Sequence, residues 1–229
     1  MVLKKSVGNM YPWVTHTHCH LGGECPHRCS YCYVNSFPFG RPEKYNGPLR
    51  LIEKEFSVNY GTGKTIFVEN CNDLFAKEVS DVFIDAVIQH CQQWPGNTYV
   101  FQTKNPARYI YRQWKAGGLP NNFILGTTIE SNRWHAAMGN APGPIDRMMA
   151  MKELQGRKFV TIEPVMDFDV DTLASWIDRI MPEFLNLGAD SKNNHLPEPT
   201  IEKILAFTEK LAGYGIELRE KHNLGRLKP

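Results

Sequence analysis

The chain has 229 residues, a hydrophobic content of 42% and a formal net charge of +2, so it can bury one well-formed core and is short for two. No apolar run approaches a membrane span in length, and the first residues lack the hydrophobic core of a signal peptide. The near-neutral charge argues neither for nor against nucleic-acid binding. We therefore expect a single domain over residues 1–229, monomeric and cytoplasmic, with no membrane partner.

Short β-branched or aromatic runs alternate with amphipathic stretches along the chain, which predicts a series of βα units. The predicted strands cover residues 13–19, 65–70, 98–102, 122–129, 158–164 and 184–188, with a seventh near 216–219. The predicted helices cover residues 78–93, 106–116, 144–155, 172–181 and 200–213. Such a series predicts an α/β fold with a parallel sheet and outer helices. Six strands are too few for a closed eight-stranded barrel.

Three cysteines, Cys25, Cys29 and Cys32, fall within eight residues directly after the first predicted strand. This C-x3-C-x2-C spacing puts three soft thiolates on one loop, close enough to hold one metal centre. A structural zinc takes four protein ligands, whereas a cubane iron–sulfur cluster held by three cysteines leaves one iron open. The spacing therefore favours an iron–sulfur site.

Zinc is the alternative for the same loop, because several side chains nearby could complete a four-ligand site. These are His16, His18, Cys19, His20 and His27. The cysteines outside the loop are scattered through ordinary segments, so a reducing compartment fits better than a disulfide framework.

The spacing C-x3-C-x-aromatic-C, with Tyr31 before the last cysteine, resembles the signature of the radical S-adenosylmethionine (radical SAM) enzymes. The resemblance implies that Cys25, Cys29 and Cys32 bind a [4Fe–4S] cluster whose open iron binds SAM. It further implies that an external reductant such as flavodoxin or ferredoxin supplies one electron, and that SAM is cleaved to a 5′-deoxyadenosyl radical that abstracts hydrogen from substrate. The fold it implies is a partial (β/α)6 barrel, with a cluster loop at 20–34, a βα core at about 13–190 and a C-terminal helix and basic tail at 199–229.

Short segments also resemble a phage- and mobile-element-associated family of radical-SAM-like phage proteins of unknown function. They cover residues 13–19, the cysteine cluster with Tyr33 at 25–33, and residues 72–75, 101–108, 125–130, 147 and 162–165. This resemblance favours DNA or nucleotide modification in the cytoplasm of a host cell, as isomerisation or elaboration of a modified pyrimidine. One alternative is a radical SAM enzyme for a peptide or small metabolite. The other is a non-enzymatic, zinc-stabilised nucleic-acid-binding protein.

The positions of the site residues follow from the rule that chemistry in βα folds collects on loops after the strands. The expected SAM-binding residues are Tyr31, Asn70, Asn72, Asp73, Thr103, Lys104, Thr127, Glu130 and Glu163. The expected substrate-binding residues are Arg133, Arg147, Asp190 and Lys192. The Gly-Gly-Glu segment with which many radical SAM enzymes hold the SAM amino group is absent, and residues 69–73 stand in its place.

Several of these side chains also have structural interpretations. Asp73 could cap the following turn, and Glu130 could cap a helix instead of contacting a ribose hydroxyl. Glu163 ends an apolar strand, where a carboxylate is costly unless it faces a polar cavity. Cys71 is a candidate hydrogen-atom donor to a substrate radical, although buried free cysteines are common packing residues.

Two basic segments could contact phosphates. Arg108, Arg112 and Lys115 share one face of a predicted helix, and residues 219–228 form a basic tail. An ordinary solvated surface is the alternative for both segments.

Overall fold

An eight-stranded, mostly parallel sheet forms the centre of this computed structural model, which describes residues 3–7, 10–37 and 39–227. The sheet strands are, in their order across the sheet, β1 (Lys4–Lys5), β2 (His16–His18), β5 (Thr65–Val68), β6 (Thr98–Thr103), β7 (Phe123–Thr128), β8 (Lys158–Ile162), β9 (Phe184–Leu187) and β10 (Leu218–Glu220). Within this sheet, the β1–β2 pair alone is antiparallel. A separate antiparallel pair consists of β3 (Leu21–Gly22) and β4 (Arg50–Leu51).

Five helices connect successive parallel strands or precede β10. They are α1 (Asp81–Gln92), α2 (Ala107–Trp114), α3 (Pro144–Glu153), α4 (Val170–Ile180) and α5 (Ile201–Gly213). The side chains of Ser80, Asp169 and Thr200 accept backbone N–H groups at the starts of α1, α4 and α5, which satisfies donors that a helix leaves unpaired. In the part of the chain that is described, no helix has the length and apolar character that crossing a bilayer demands.

The predicted α/β fold of partial-barrel type is confirmed. All seven predicted strands are present, and β1 and β10 remain as the two edges of an open sheet. The first strand is shorter than predicted, because the Val14 N–H donates to the Tyr11 carbonyl (3.0 Å) in a turn, and the strand begins at His16. The sequence pattern did not reveal β1, β3 or β4, which have two residues each and are too short for a periodic signal.

The inner face of the sheet changes from apolar to polar toward the carboxyl ends of the strands. Phe67, Val100, Ile124, Phe159 and Phe184 form its apolar part. Nearer the carboxyl ends, polar side chains hydrogen-bond to one another across strands. These contacts join the Tyr11 hydroxyl to Gln102 (2.8 Å) and Thr161 (2.7 Å), and Gln102 to Thr128 (2.9 Å). This polar layer forms the floor of the site described next.

The basic stripe on α2 is not a free phosphate-binding surface. Arg112 is fully buried and pairs with Asp81 (2.6 Å) and Asp85 on α1. Arg108 also pairs with Asp81, and Lys115 lies 2.8 Å from Asp85. The stripe is thus a helix–helix interface, which neither the phosphate nor the solvated-face interpretation predicted.

The basic tail is largely engaged in contacts of its own. Arg219 pairs with Glu217 and Arg226 with Glu198, while Lys221 pairs with Glu163. Lys228 lies outside the described residues.

Candidate functional site

A cavity of about 600 Å³ opens at the carboxyl ends of the parallel strands. Its walls come from the cysteine loop (residues 20–34), the 35–45 segment and the loops that follow β5, β6, β8 and β9. The expected site residues that line it are Cys25, Cys29, Tyr31, Cys32, Asn70, Cys71, Asn72, Asp73, Thr103, Lys104, Glu163, Asp190 and Lys192. The cavity therefore gathers most of the side chains that the sequence pattern selected.

The cysteine loop is held from behind by the segment after β7. The backbone N–H of Asn140 donates to the His27 carbonyl (2.7 Å), and the Cys29 thiol contacts the Met138 carbonyl (3.3 Å). Gly139 between them has a φ of 62°, and a Cβ there would lie 2.2 Å from the His27 carbonyl oxygen. Only glycine allows this close approach.

The three loop thiols are free and face the cavity without converging as tightly as ligands of one ion. Thiolates around a single zinc at about 2.3 Å lie about 3.8 Å apart. Among the described residues, the group whose ligand atoms lie within 4.8 Å of one another consists of histidines and not of these cysteines. The wider spacing of the thiols fits a multinuclear centre better than one zinc ion.

The protonation of the thiols also bears on metal binding. Burial, together with the Asp73 carboxylate and the other two thiols, raises the pKa of Cys25 to about 12. A cationic metal centre would reverse this preference, because it stabilises the thiolate form of its ligands. The loop thiols could thus hold a cationic metal centre in their deprotonated form.

Asp73 ties the cysteine loop to two strand ends. Its carboxylate lies 2.8 Å from His27 Nε2 and accepts bonds from the Thr103 hydroxyl (2.6 Å) and the Lys104 N–H (2.8 Å). Burial alone would raise the pKa of Asp73, but His27 and these donors lower it. Asp73 also accepts the Phe75 N–H (3.0 Å), so the predicted turn-capping contact is present beside the contacts to the cavity wall.

Glu130 stands behind the cavity wall at the centre of a buried charge network. One carboxylate oxygen pairs with Lys104 and accepts the Tyr31 hydroxyl, and the other lies 2.7 Å from Arg147. Glu130 and Arg147 are both fully buried. Burial would raise the pKa of Glu130, yet Lys104 and Arg147 hold it well below its usual range. The network fixes Tyr31 of the cysteine loop against Lys104.

Cys71 and Cys19 form a thiol pair at the cavity edge. The Cys71 N–H donates to the Cys19 sulfur (3.4 Å), and the Tyr33 hydroxyl donates to the Cys71 sulfur (3.4 Å). The Cys19 thiol donates to the Asn70 side chain (3.0 Å). Hydrogen bonds from Cys19, Tyr33 and Tyr45 lower the pKa of Cys71 despite its burial, whereas the pKa of Cys19 is raised.

The opposite wall of the cavity carries Glu163, after β8. Its carboxylate lies 2.8 Å from Lys221 and accepts the Asn223 amide (3.1 Å). The Glu163 carboxylate thus has the polar partners that a charged group needs at the end of an apolar strand. Asp190 lines the same side of the cavity. Its carboxylate oxygens accept the backbone N–H groups of Lys192 (3.1 Å) and Asn194 (2.5 Å), so they stabilise the 190–194 loop itself.

Four expected site residues do not line the cavity. Thr127 donates to the Thr103 carbonyl (2.8 Å), and Glu130 and Arg147 form the buried pair described above. Arg133 pairs with Asp167 on the far side of the β7 loop. The first three support the cavity wall from behind, whereas Arg133 stands apart from it.

The histidines near the cysteine loop are committed elsewhere. His27 binds Asp73, while the His18 and His20 rings pack against each other with ring centroids 4.4 Å apart. His16 Nδ1 lies 2.9 Å from the Thr15 hydroxyl. None of these contacts involves a loop thiol.

Several further residues of the cavity wall were not among the expected cofactor- or substrate-binding residues. Glu69 is buried with a φ of 61°, and its carboxylate accepts the N–H groups of His20 (2.5 Å) and Leu21 (3.2 Å). Tyr33 and Tyr45 are two more, and His27, which was expected only as a possible zinc ligand, pairs with Asp73 instead. Tyr33 directly follows Cys32, which could have marked it, but nothing in the local pattern points to Tyr45.

Solved structures of spore photoproduct lyase share this fold. A cysteine-to-serine mutant of that protein matches with a TM-score of 0.64 and 10% identity, over 96% of this chain and 80% of that chain. A mutant with bound AdoMet and dinucleoside spore photoproduct matches with a TM-score of 0.56 and 10% identity, over 92% of this chain and 65% of that chain. At such identity the likeness concerns the fold.

At the level of sequence, no curated protein matches the chain. The family model described as "Protein of unknown function (DUF5131)" matches residues 13–181, which include the cysteine loop and the strands from β2 to β8. Because this match spans well over half of the 229 residues, the chain belongs to the DUF5131 family.

Proposed function

We propose that this protein is a radical SAM enzyme whose loop residues Cys25, Cys29 and Cys32 hold a [4Fe–4S] cluster beside a SAM-binding cavity. The observation that carries the proposal is the position of three unpaired thiols on the wall of a 600 Å³ cavity at the carboxyl ends of parallel strands. That volume lies in the range of sites for cofactor-sized molecules. When bound, the cluster supplies the electron that cleaves SAM to methionine and a 5′-deoxyadenosyl radical.

The expected SAM-binding residues divide into two kinds. Tyr31, Asn70, Lys104 and Glu163 present polar atoms at the cavity wall, where they could contact SAM. The side chains of the others hold the wall through their own hydrogen bonds and so act as supports: Asn72, Asp73, Thr103, Thr127 and Glu130. Lys104 suits the SAM carboxylate, because it lines the cavity beside the cysteine loop, with its ammonium 3.0 Å from the Tyr31 hydroxyl.

Cys71 is the proposed hydrogen donor. In this step the Cys71 S–H bond breaks, a C–H bond forms on the product radical, and a thiyl radical remains on sulfur. The thiyl radical returns to thiol by taking one electron from an external reductant, such as flavodoxin or ferredoxin, together with one proton. The position of Cys71 on the cavity wall supports this role. Only the protonated thiol can donate the atom, and because the pKa of Cys71 is lowered, the transfer should weaken as the pH rises.

The proposed substrate is a nucleotide or a DNA base, rearranged or elaborated in an isomerase- or transferase-type reaction. A protein of the same fold has been solved with a dinucleoside photoproduct, and Arg28, Arg41 and Lys192 border the cavity as cations for phosphate groups. A base within duplex DNA would have to leave the stack to reach the cavity. Asp190 and Lys192 lie where such a substrate would enter, and Arg133 could contact only its more distant part.

Anaerobic purification tests the core of the proposal. The protein should be brown, contain about four iron and four sulfide per chain, and after reduction convert SAM to 5′-deoxyadenosine. A triple variant with Cys25, Cys29 and Cys32 replaced by serine should lose the iron and the activity while staying folded. A colourless protein with one zinc at the cysteine loop and no 5′-deoxyadenosine would establish the zinc-stabilised binding protein instead.

Deuterium transfer tests the substrate class. Reduced enzyme and SAM would be incubated with deuterated DNA, deuterated nucleotides or deuterated peptides. We expect deuterium in 5′-deoxyadenosine from DNA or nucleotides, because the radical takes hydrogen directly from its substrate. Transfer from peptide alone would contradict the nucleotide proposal and leave the radical SAM assignment intact.

A further inference from the structure

Three buried imidazoles meet outside the cavity and form a group that we call the histidine trio: His18 on β2, His20 at the start of the cysteine loop, and His90 on α1. All three residues are at most 8% exposed. One ring nitrogen from each lies within 4.8 Å of those of the other two. The proposed radical chemistry uses none of these rings.

The outer ring nitrogen of each histidine faces a group that accepts hydrogen bonds. The contacts are His18 Nε2 to Glu55 Oε2 (3.1 Å), His20 Nδ1 to Glu69 Oε1 (2.8 Å) and His90 Nε2 to the Val58 carbonyl (3.0 Å). Ionised carboxylates and backbone carbonyls cannot donate. The outer nitrogens must therefore carry the ring protons, and the inner nitrogens of neutral rings present lone pairs.

The inner nitrogens have too few protons for their contacts. His20 Nε2 lies 2.8 Å from His90 Nδ1, and the Tyr60 oxygen lies 2.5 Å from His18 Nδ1 and 3.0 Å from His20 Nε2. Tyr60 brings one proton, which can satisfy one of the three nitrogens. Two imidazole lone pairs at 2.8 Å repel each other, so the arrangement calls for a cation at its centre.

We propose that the histidine trio is a structural zinc site, with the inner nitrogens of His18, His20 and His90 as ligands and the Tyr60 oxygen at the fourth corner. Three nitrogens and one oxygen form a donor set that zinc accepts in tetrahedral geometry. Ligands at 2.0–2.1 Å from zinc lie about 3.3 Å apart, so the three contacts of 2.5, 2.8 and 3.0 Å would each lengthen by less than about 1 Å.

The outer contacts are the reason to prefer zinc over an extra proton on His20. Histidines that bind metals usually donate their other ring N–H to a carboxylate or a backbone carbonyl, which fixes the tautomer and ring orientation. All three rings of the trio show this pattern. The carboxylates of Glu55 and Glu69 also offset the charge of a divalent ion.

A zinc ion at this position would brace the start of the cysteine loop. It would join β2, α1 and the 55–60 segment, and Glu69 would link it to the backbone N–H groups of His20 and Leu21. The burial of the trio leaves no open coordination position for a substrate. The role is therefore structural.

The test uses the whole chain with Cys25, Cys29 and Cys32 replaced by serine, so that the cysteine loop cannot bind metal. The protein is stripped with a chelator, incubated with zinc sulfate, washed and analysed for metal. We expect about one zinc per chain and a melting temperature that rises with zinc concentration, because an ion that binds only the folded state stabilises it.

Variants on the same background locate the site. His90→Gln and His18→Gln should each lose the bound zinc and the zinc-dependent rise in melting temperature, while His195→Gln, at an exposed histidine, should keep both. Failure of the stripped, folded protein to take up zinc or change its melting temperature would overturn the proposal in favour of an extra proton. Because the loop cysteines are absent, this result does not depend on the proposed radical SAM activity.

Discussion

The cysteine loop and the histidine trio are the two groups of side chains that we propose as metal sites; they share Glu69 as a neighbour, yet they differ in almost every physical respect. The loop thiols line a cavity and do not converge on a point, whereas the inner nitrogens of the trio converge and are buried. Glu69 lines the cavity with the thiols and also binds His20. An open, spread set of ligands can leave room for a substrate, and a closed, convergent set can only hold an ion.

Support for the two regions also differs. The cysteine loop depends on contacts to residues far along the chain, such as Glu130, Asp73 and Asn140. The histidine trio is braced by Tyr60 and by carboxylate and carbonyl acceptors around each ring. Variants that remove the supports of the loop should therefore leave the trio intact. The predictions below measure how strongly those supports hold, and the Gly139→Ala variant tests the separation itself.

The largest expected effect comes from Glu130→Gln. It removes the carboxylate between Lys104 and the fully buried Arg147, and breaking a buried pair in this way costs about 3–5 kcal/mol. Urea unfolding measures the loss. Glu183→Gln is the control, since Glu183 pairs with Arg157 on the surface and should cost less than about 1 kcal/mol. Equal losses in the two variants would show that the buried network does not support the loop.

Acid should destabilise the folded protein by protonating buried carboxylates that support the cysteine loop. The pKa values of Glu130 and Asp73 are lowered in the folded protein from 4.5 and 3.8, so the unfolded chain takes up protons first as the pH falls. The stability from these carboxylates is complete above those unfolded values and is lost as the pH falls toward the lower folded values. Urea unfolding from about pH 6 to about pH 3 should show this loss, and Glu130→Gln should reduce it. An unchanged slope in the variant would contradict the assignment.

Gly139→Ala should weaken the cysteine loop with a smaller loss of stability, about 1–3 kcal/mol. Its Cβ would collide with the His27 carbonyl, whereas Gly215 has a similar φ of 72° with open space around it. Gly215→Ala therefore isolates the backbone strain from the collision. We expect Gly139→Ala to retain less iron than Gly215→Ala after anaerobic reconstitution, with equal zinc at the histidine trio. Equal iron in the two variants would exclude a role for residues 135–140 in holding the loop.

Tyr31→Phe should have the smallest effect, about 0.5–1.5 kcal/mol. It removes the hydroxyl that donates to Glu130 and lies 3.0 Å from Lys104, while the aromatic ring is kept. Thermal unfolding measures the change against Tyr111→Phe, at a tyrosine 60% exposed on α2. If Tyr31→Phe changed stability no more than Tyr111→Phe did, Tyr31 would have no supporting role.

The sequence pattern was sufficient for the parallel strands and for the cysteines, because both are local signals. The pattern could not identify which residues pair with the buried charged side chains. Tyr31 and Glu130 are 99 residues apart, and His20 and His90 are 70 apart. Arg112 illustrates the limit: its helical spacing resembled a solvated face, but the acidic residues of α1 bury it. Pairing across such distances depends on the fold, which a periodic pattern does not encode.

The backing of the cysteine loop by residues 135–140 has a consequence for biosynthesis. The three loop cysteines lie near the amino end of the chain, but the carbonyl of His27 is held by Asn140, more than a hundred residues later. A ribosome that has released only the first βα units exposes the three thiols before their support exists. Metal delivered to the nascent chain would meet an unsupported loop, so productive loading has to follow the synthesis of about two thirds of the protein.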